Sequence, residues 1–331
     1  MSQFGTIDPP VPRSARWQSL KSRVDDMRVR FAEALASLAY EDPRIYIVVA
    51  DISPAGPMVE FRDRCPERFI NVGVAEQAMI GVCAGLALKG MRPFAYTIAT
   101  FALYRPFEFI RDDLAYQNLP VTVVGIGGGV IYSTLGGTHH AQEDVAIASA
   151  IPNMGVVAPC DPQETQAVTE YLVSRESGGP VYMRIGKAGE PEITSGIRSP
   201  FEFGKIRTFY RGTGDIAILS YGLMMHEAVK VADTLSASGR SVTLVSTPTL
   251  KPLDSEGLAE ILASHRTVVV LEEHAPQGGL ASQVKQLAWD TKASCDLRTY
   301  TLKDEFIHCY GTHADLLRAH GLGVREIVGQ L

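Results

Sequence analysis

Short β-branched runs alternate along the chain with longer amphipathic stretches. Ile45–Ala50, Val121–Ile126, Val156–Ala158 and Val181–Met183 read as strands, and Met27–Ala39, Glu76–Leu88, Arg105–Gln117 and Gln163–Val173 as helices. Runs such as Val121-Thr-Val-Val-Gly-Ile126 are apolar at nearly every position, which suits a parallel sheet covered by helices on both faces. From Ile185 to Gly214 the text turns rich in Gly, Pro and charge and loses periodicity, as a linker does. The rhythm then restarts with strands at Asp215–Leu219, Val242–Val245, Thr267–Leu271 and Leu297–Leu302, interleaved with helices at His226–Leu235, Glu256–Ala263 and Leu280–Ala288. The fold class is therefore α/β, with two open, mostly parallel-sheet domains. An arm covers residues 1–24, the first domain 25–190, the linker 191–213 and the second domain 214–331.

Composition narrows the function classes. Of 331 residues, 46% are hydrophobic and 21% charged, enough for two domains with proper cores. Lys+Arg 31 against Asp+Glu 37 gives −6, which argues against a nucleic-acid partner or an anionic membrane surface. The N-terminal text has no apolar h-region and the apolar runs are strand-sized, so neither a signal peptide nor a membrane span is expected. Five cysteines without CxxC spacing fit a reducing, cytoplasmic setting.

Local motifs supply the candidate chemistry. Gly125-Ile-Gly-Gly-Gly129 follows a strand, but Val130 stands where GxGxxG needs its third glycine, so the loop reads as a turn needing positive φ. Asn71-Val-Gly-Val-Ala-Glu-Gln77 enters a helix of small residues with Glu76 in its first turn, between apolar flanks that bury a carboxyl group. The small residues of that helix allow another backbone to come close. Gly136-Gly-Thr-His-His140 presents His139 and His140 in a glycine loop on the C-terminal side of a strand, where open α/β sheets place ligands. Met183-Arg-Ile-Gly-Lys187 puts Arg184 and Lys187 beside a Gly turn, as a solvated linker start or an anion clamp. No metal site is expected on this chain: no HExxH or His/Cys cluster occurs, and His308-Cys-Tyr-Gly-Thr-His313 lacks an accompanying carboxylate motif.

In this order the pieces resemble the C-terminal half of transketolase and of its relative deoxyxylulose-phosphate synthase. The matching text is Ala75-Glu-Gln77, Thr100-Phe101 followed by Arg105-Pro-Phe-Glu-Phe-Ile-Arg111-Asp, Gly136-Gly-Thr-His139, Ile151-Pro-Asn-Met154, Pro159-Cys-Asp-Pro162, Arg184-Ile-Gly-Lys187 and Leu271-Glu-Glu-His274 with Gly278-Gly279. The resemblance implies a pyrimidine-binding domain plus a transketolase C-terminal domain, with thiamine diphosphate as cofactor. In this family a glutamate drives the cofactor's aminopyrimidine to its reactive imino form, and Glu76 matches it. Phe101 matches an aromatic that packs on the pyrimidine, with Tyr104 and Arg105 beside it. His139 matches the histidine that handles protons on the sugar hydroxyl, and His140 beside it is expected to touch substrate as well. Lys187 stands where the synthase has a phosphate-binding arginine, with Arg184 three residues before it.

Two departures shape the expectation. Full-length transketolases carry Asp-Gly-Pro-Thr-His, where this chain has Leu135-Gly-Gly-Thr-His139, so Leu135 takes the place of a sugar-binding aspartate. The family's Gly-Asp-Gly motif for metal and diphosphate, with its downstream Asn, is missing. A multiply charged diphosphate needs a divalent cation and a helix N-terminus. The expectation is a beta-like subunit of a two-component transketolase that moves a two-carbon ketol unit between sugars or sugar phosphates. An N-terminal transketolase-like partner would ligate Mg2+ in an α2β2 heterotetramer. The rival enzymes are the beta subunit of a 2-oxo-acid dehydrogenase and a deoxyxylulose-phosphate synthase-like enzyme. A non-catalytic scaffold subunit is the rival of another class.

Overall fold

The computed structural model describes residues 26–331 apart from 53–56 and 198. The arm read over residues 1–24 lies outside the described residues. In chain order the first half comprises α1 (Met27–Glu41), β1 (Ile45–Val49), α2 (Pro57–Arg64), β2 (Phe69–Asn71), α3 (Glu76–Leu88), β3 (Arg92–Ile98) and α4 (Ala99–Leu103). It continues with α5 (Phe107–Phe109), β4 (Thr122–Ile126), α6 (Asp144–Ala150), β5 (Gly155–Val157), α7 (Pro162–Ser174) and β6 (Val181–Ile185). The second half comprises β7 (Arg207–Tyr210), β8 (Ile216–Ser220), α8 (Met224–Ala237), β9 (Val242–Ser246), β10 (Thr249–Lys251) and α9 (Ser255–Ser264). It ends with β11 (Thr267–Leu271), α10 (Leu280–Asp290), β12 (Asp296–Tyr300), α11 (His313–Ala319) and α12 (Val324–Val328).

Two sheets result, a seven-stranded one ordered β10-β5-β6-β4-β3-β1-β2 and a five-stranded one ordered β12-β11-β8-β9-β7. Neighbours pair in parallel except β10 on β5 and β7 on β9, so the expected pair of open, mostly parallel-sheet domains is what the chain forms. Strands β4, β6, β8, β9 and β11 are buried at every position, the consequence of helices on both faces, and this is why they read as unbroken apolar runs. Polar caps start the helices: Asp26 accepts from the Val29 amide, Asp161 from Glu164 and Asp254 from Gly257. Among the described residues no helix is long and apolar enough to cross a membrane.

The structure differs from the sequence reading at the domain junction. Within the stretch read as linker, Arg207–Tyr210 forms the antiparallel edge strand β7, and the Ile193 and Thr194 amides donate to Asp161 Oδ2 at 2.8 and 2.6 Å. The expected helix over Arg105–Gln117 divides into α5 and a π-helical stretch, Ile110–Ala115. Strand β10 belongs by sequence to the second half yet extends the first sheet, and Lys251 Nζ donates to the carbonyls of Ser149 and Ile151 at 2.8 and 2.5 Å. One apolar cluster runs from Val48 and Met79 through Ala158 and Leu250 to Leu219 and Val284. The two domains thus share a core.

Leu250 is fully buried at this junction. Leu250→Ala should cost about 2–5 kcal/mol, the range for emptying a core leucine site, and should lower the urea midpoints of both domains together. A transition confined to the second domain would contradict the shared core.

Candidate active site

Strand β2 ends in Asn71, whose Oδ1 accepts from the Asp51 amide at 3.1 Å and the Gly73 amide at 2.9 Å, shaping the turn into α3. Gly73 sits at φ 73°, a conformation that glycine adopts freely. Glu76 is then the first residue of α3, where the helix N-terminus favours a negative charge, and it is only 2% exposed. A carboxylate so buried needs a partner. Arg105 supplies it, with Nη1 2.7 Å from Glu76 Oε1, while its own side chain stays 44% exposed. The Arg105 guanidinium lies 4.1 Å from the Phe101 ring centroid, a cation–π contact. Gln77 Nε2 donates to the Arg105 carbonyl at 3.3 Å.

The second component is the loop after β4. Gly129 and Ala141 exchange backbone hydrogen bonds of 3.0 and 2.8 Å, closing residues 130–140 into a loop with a narrow neck. Gly136 turns the chain at φ 75°, and its carbonyl accepts from the amides of His139 and His140. The Thr138 carbonyl accepts from Thr100 Oγ1 at 3.1 Å, which ties the loop to α4. His139 Nδ1 lies 2.9 Å from Thr138 Oγ1, and its ring packs edge-on against Phe101 at 5.2 Å and near Tyr132 at 5.8 Å. Glu76, Arg105, Phe101 and His139 therefore form one line of contacts. Burial, and then the positive Arg105, push the His139 pKa below its ordinary 6.5.

Other sites expected from sequence fall around this line. Leu135 is half exposed on the outside of the loop. His140 is buried, and burial lowers its pKa. Tyr104 donates to Glu143 Oε2 at 2.8 Å, and burial raises its phenol pKa. Lys187 is exposed, with Nζ 4.8 Å from the Tyr132 ring centroid.

Arg184 does not join Lys187 as an anion clamp. It is buried on β6, with Nε 2.8 Å from Asp144 Oδ2 and Nη2 donating to the Glu273 carbonyl at 3.0 Å. The reason is its place in a strand covered on both faces, where a cation must find a buried anion. Arg28, which the sequence does not single out, instead acts electrostatically on Tyr132 of the loop. The positive charge of Arg28 partly offsets the rise that burial imposes on the Tyr132 phenol, and its Nε is buried without a hydrogen-bond partner. Glu190 Oε2 accepts from the Met27 amide at 3.2 Å, joining the segment that carries Lys187 to the start of α1, which carries Arg28. In sequence, Arg28 is one polar position of an ordinary amphipathic helix. Tyr132 was missed too, since nothing nearby marks it.

Behind the loop lies the second domain. Glu272 accepts from the amides of Leu280 and Ala281 at 2.8 and 2.9 Å and from Tyr221 OH at 3.1 Å, so it caps α10. Glu273 Oε1 accepts from the Val130 amide at 2.6 Å and meets His313 Nε2 at 2.9 Å. Among the described residues no group of three or more His, Cys, Asp and Glu is arranged to hold a metal ion.

On this two-domain α/β chain, a buried glutamate at a helix start, an arginine over an aromatic ring and a loop histidine thus stand in one line of contacts. Residues 25–189 match the family model "Transketolase, pyrimidine binding domain" and residues 204–327 match "Transketolase, C-terminal domain". The chain belongs to the transketolase family. It is 30% identical over 295 residues to a subunit of the apulose-4-phosphate transketolase of Phocaeicola vulgatus, covering 89% of this chain and 93% of that one. The 1-deoxy-D-xylulose-5-phosphate synthase of Polaromonas naphthalenivorans is 36% identical, over 90% of this chain but 45% of the synthase. A solved structure described as a split gene transketolase, inactive beta4 tetramer, superposes with a TM-score of 0.81 at 34% identity, covering 93% of this chain and 97% of that one. The chain is thus a beta-type subunit of a split transketolase-like enzyme.

An NMR titration following the imidazole Cε1–H should find His139 titrating below 6.5. Arg105→Ala removes a repelling positive charge and should raise that midpoint, leaving it depressed by burial. A midpoint at or above 6.5 in the unaltered chain, or no rise in the variant, would contradict this account of the site.

Proposed function

We propose that this chain is the C-terminal, beta-like subunit of a cytoplasmic, thiamine diphosphate-dependent transketolase that moves a two-carbon ketol unit between sugars or sugar phosphates. A partner subunit, in an α2β2 assembly, binds the cofactor's diphosphate and Mg2+. The observation that carries the reading is Glu76, a buried carboxylate at a helix start whose hydrogen-bond partner among the side chains is the half-exposed Arg105, in contact line with Phe101 and His139. The residues fit the cofactor's pyrimidine end: a sheltered carboxyl group that can share a proton with a ring nitrogen, beside an aromatic face. When bound, thiamine diphosphate supplies an acidic carbon that adds to a ketose carbonyl.

This chain's part is proton handling and orientation. Glu76 holds or releases a proton where water enters poorly, Arg105 keeps its carboxyl group in place, and Phe101 offers a flat apolar surface. Because His139 Nδ1 is engaged with Thr138 Oγ1, Nε2 is the nitrogen left to take or return a proton at a substrate hydroxyl. The depressed pKa keeps the ring neutral, and therefore a base, at pH 7. Lys187, exposed over the Tyr132 ring, suits a phosphate group. Gln77, Ala78, Gly81, Gly85 and Leu88 form an exposed, uncharged stripe along α3, continued by Val74 just before it, that suits a covering subunit. That a related beta4 assembly is described as inactive agrees with a need for the partner.

Ketol transfer should appear when the chain is combined with its partner, thiamine diphosphate and magnesium, and be absent without the partner. Glu76→Gln and His139→Asn should each lower kcat by about 10²–10⁴-fold with folding intact, the range for a lost proton-transfer group. Lys187→Ala should raise KM for a phosphorylated acceptor far more than it lowers kcat. Full ketol transfer by the lone chain, or unchanged turnover in Glu76→Gln, would overturn the proposal.

A further inference from the structure

The loop that carries His139 is held at its neck by the second domain. Glu273 lies between β11 and α10 and is almost fully buried, yet its side chain points into the first domain and accepts from the Val130 amide at 2.6 Å. Val130 is the first residue past the Gly129–Ala141 closure, and Tyr132, two residues on, packs against His139. The next two residues of the same segment grip the far side of the neck. His274 Nε2 accepts from the Ala146 amide at 3.2 Å, and the Ala275 amide donates to the Gln142 carbonyl at 2.8 Å.

Two further observations show that Glu273 is built for this contact. Gly129 has φ 72°, and a Cβ there would sit 2.5 Å from Glu273 Oε1 and 2.8 Å from Arg184 Nη2, so the neck is glycine because Glu273 occupies the space. His313, the first residue of α11, meets the same Oε1 from the other side at 2.9 Å. Burial alone would raise the Glu273 pKa, but His313, Arg184 and the Val130 amide outweigh it and hold the carboxyl group below its ordinary range; the same pairing raises His313.

We propose that Glu273 is a positioning residue for His139: from the second domain it fixes the neck of the 130–140 loop and so sets where the imidazole stands. This rests on the reading of His139 as the proton-handling group. Misplacing such a group by about 1 Å costs up to about 10²-fold in rate, so a residue that touches neither substrate nor cofactor can still govern turnover.

The test uses the complete two-subunit enzyme with thiamine diphosphate and magnesium. Glu273→Ala should lower kcat at least about tenfold with KM little changed, measured well below its melting temperature. It should also speed hydrogen exchange in peptides spanning 127–142 and move the NMR titration midpoint of His139. Glu273→Gln keeps an acceptor for the Val130 amide and should restore most of kcat and of the protection. Should Glu273→Ala not fold, His313→Asn loosens the same carboxylate from its solvent side and should speed exchange at Val130. Unchanged kcat and exchange in Glu273→Ala, equal loss in the Ala and Gln variants, or unchanged exchange in His313→Asn would each overturn the proposal. If the unaltered complex shows no ketol transfer, the functional reading fails, and exchange and titration still decide the positioning.

Discussion

The ion pair between Arg184 and Asp144 is the constraint on which the site's geometry rests. Both side chains are almost wholly removed from water, where leaving one without the other is worth about 3–5 kcal/mol of destabilisation. Asp144 Oδ2 accepts from Arg184 Nε at 2.8 Å and from Tyr182 OH at 2.9 Å, while Arg184 Nη2 reaches the Glu273 carbonyl. This fixes the end of β6 to the start of α6 and both to the second domain. The neighbouring glycines follow from it. A Cβ at Gly128 would collide with Arg184 and Asp144, and one at Gly125 with Tyr182. The backbone that leads to His139 can pass because it has no side chains there.

That arrangement explains what sequence could and could not reveal. Glu76 and His139 stand out in the sequence by local chemistry, an acid at a helix start between apolar flanks and an imidazole in a glycine turn, whereas Phe101 and Arg105 are marked only by the family resemblance; the structure sets the four in contact. Their convergence follows from the strand order, since β3 and β4 are adjacent and α3 feeds β3. The glycine run after β4 was rightly read as a backbone device, but the side chains that demand it come from positions 144, 182, 184 and 273 and leave no mark beside it. Arg184 was misdirected for a related reason. In a strand covered on both faces the usual in–out alternation vanishes, so sequence cannot tell an inward cation from an outward one. Within one short motif, Arg184 is a structural charge and Lys187 an exposed one.

The junction shows the same limit at larger scale. Strand β7 is four residues and β10 three, too short for any periodicity to register amid Gly and Pro. Both are antiparallel edge additions whose pairing is decided by distant partners. The stretch that composition marks as linker therefore contains one of these strands, β7.

These contacts bear on why the two domains travel together. No residue of the second domain is in the line from Glu76 to His139, so a chemical inventory would assign it no part. Physically it cannot be removed cleanly. Without it the β5 edge loses β10 and exposes a row of unpaired backbone groups, a template for aggregation. The loop neck loses Glu273, His274 and Ala275, and Arg184 loses the Glu273 carbonyl and the Tyr221 ring. The apolar cluster that runs from Val48 to Val284 would be cut through its middle. A division of the chain between these two domains would pass through a core and a buried charge network. The second domain is thus part of the machinery that holds His139 in place.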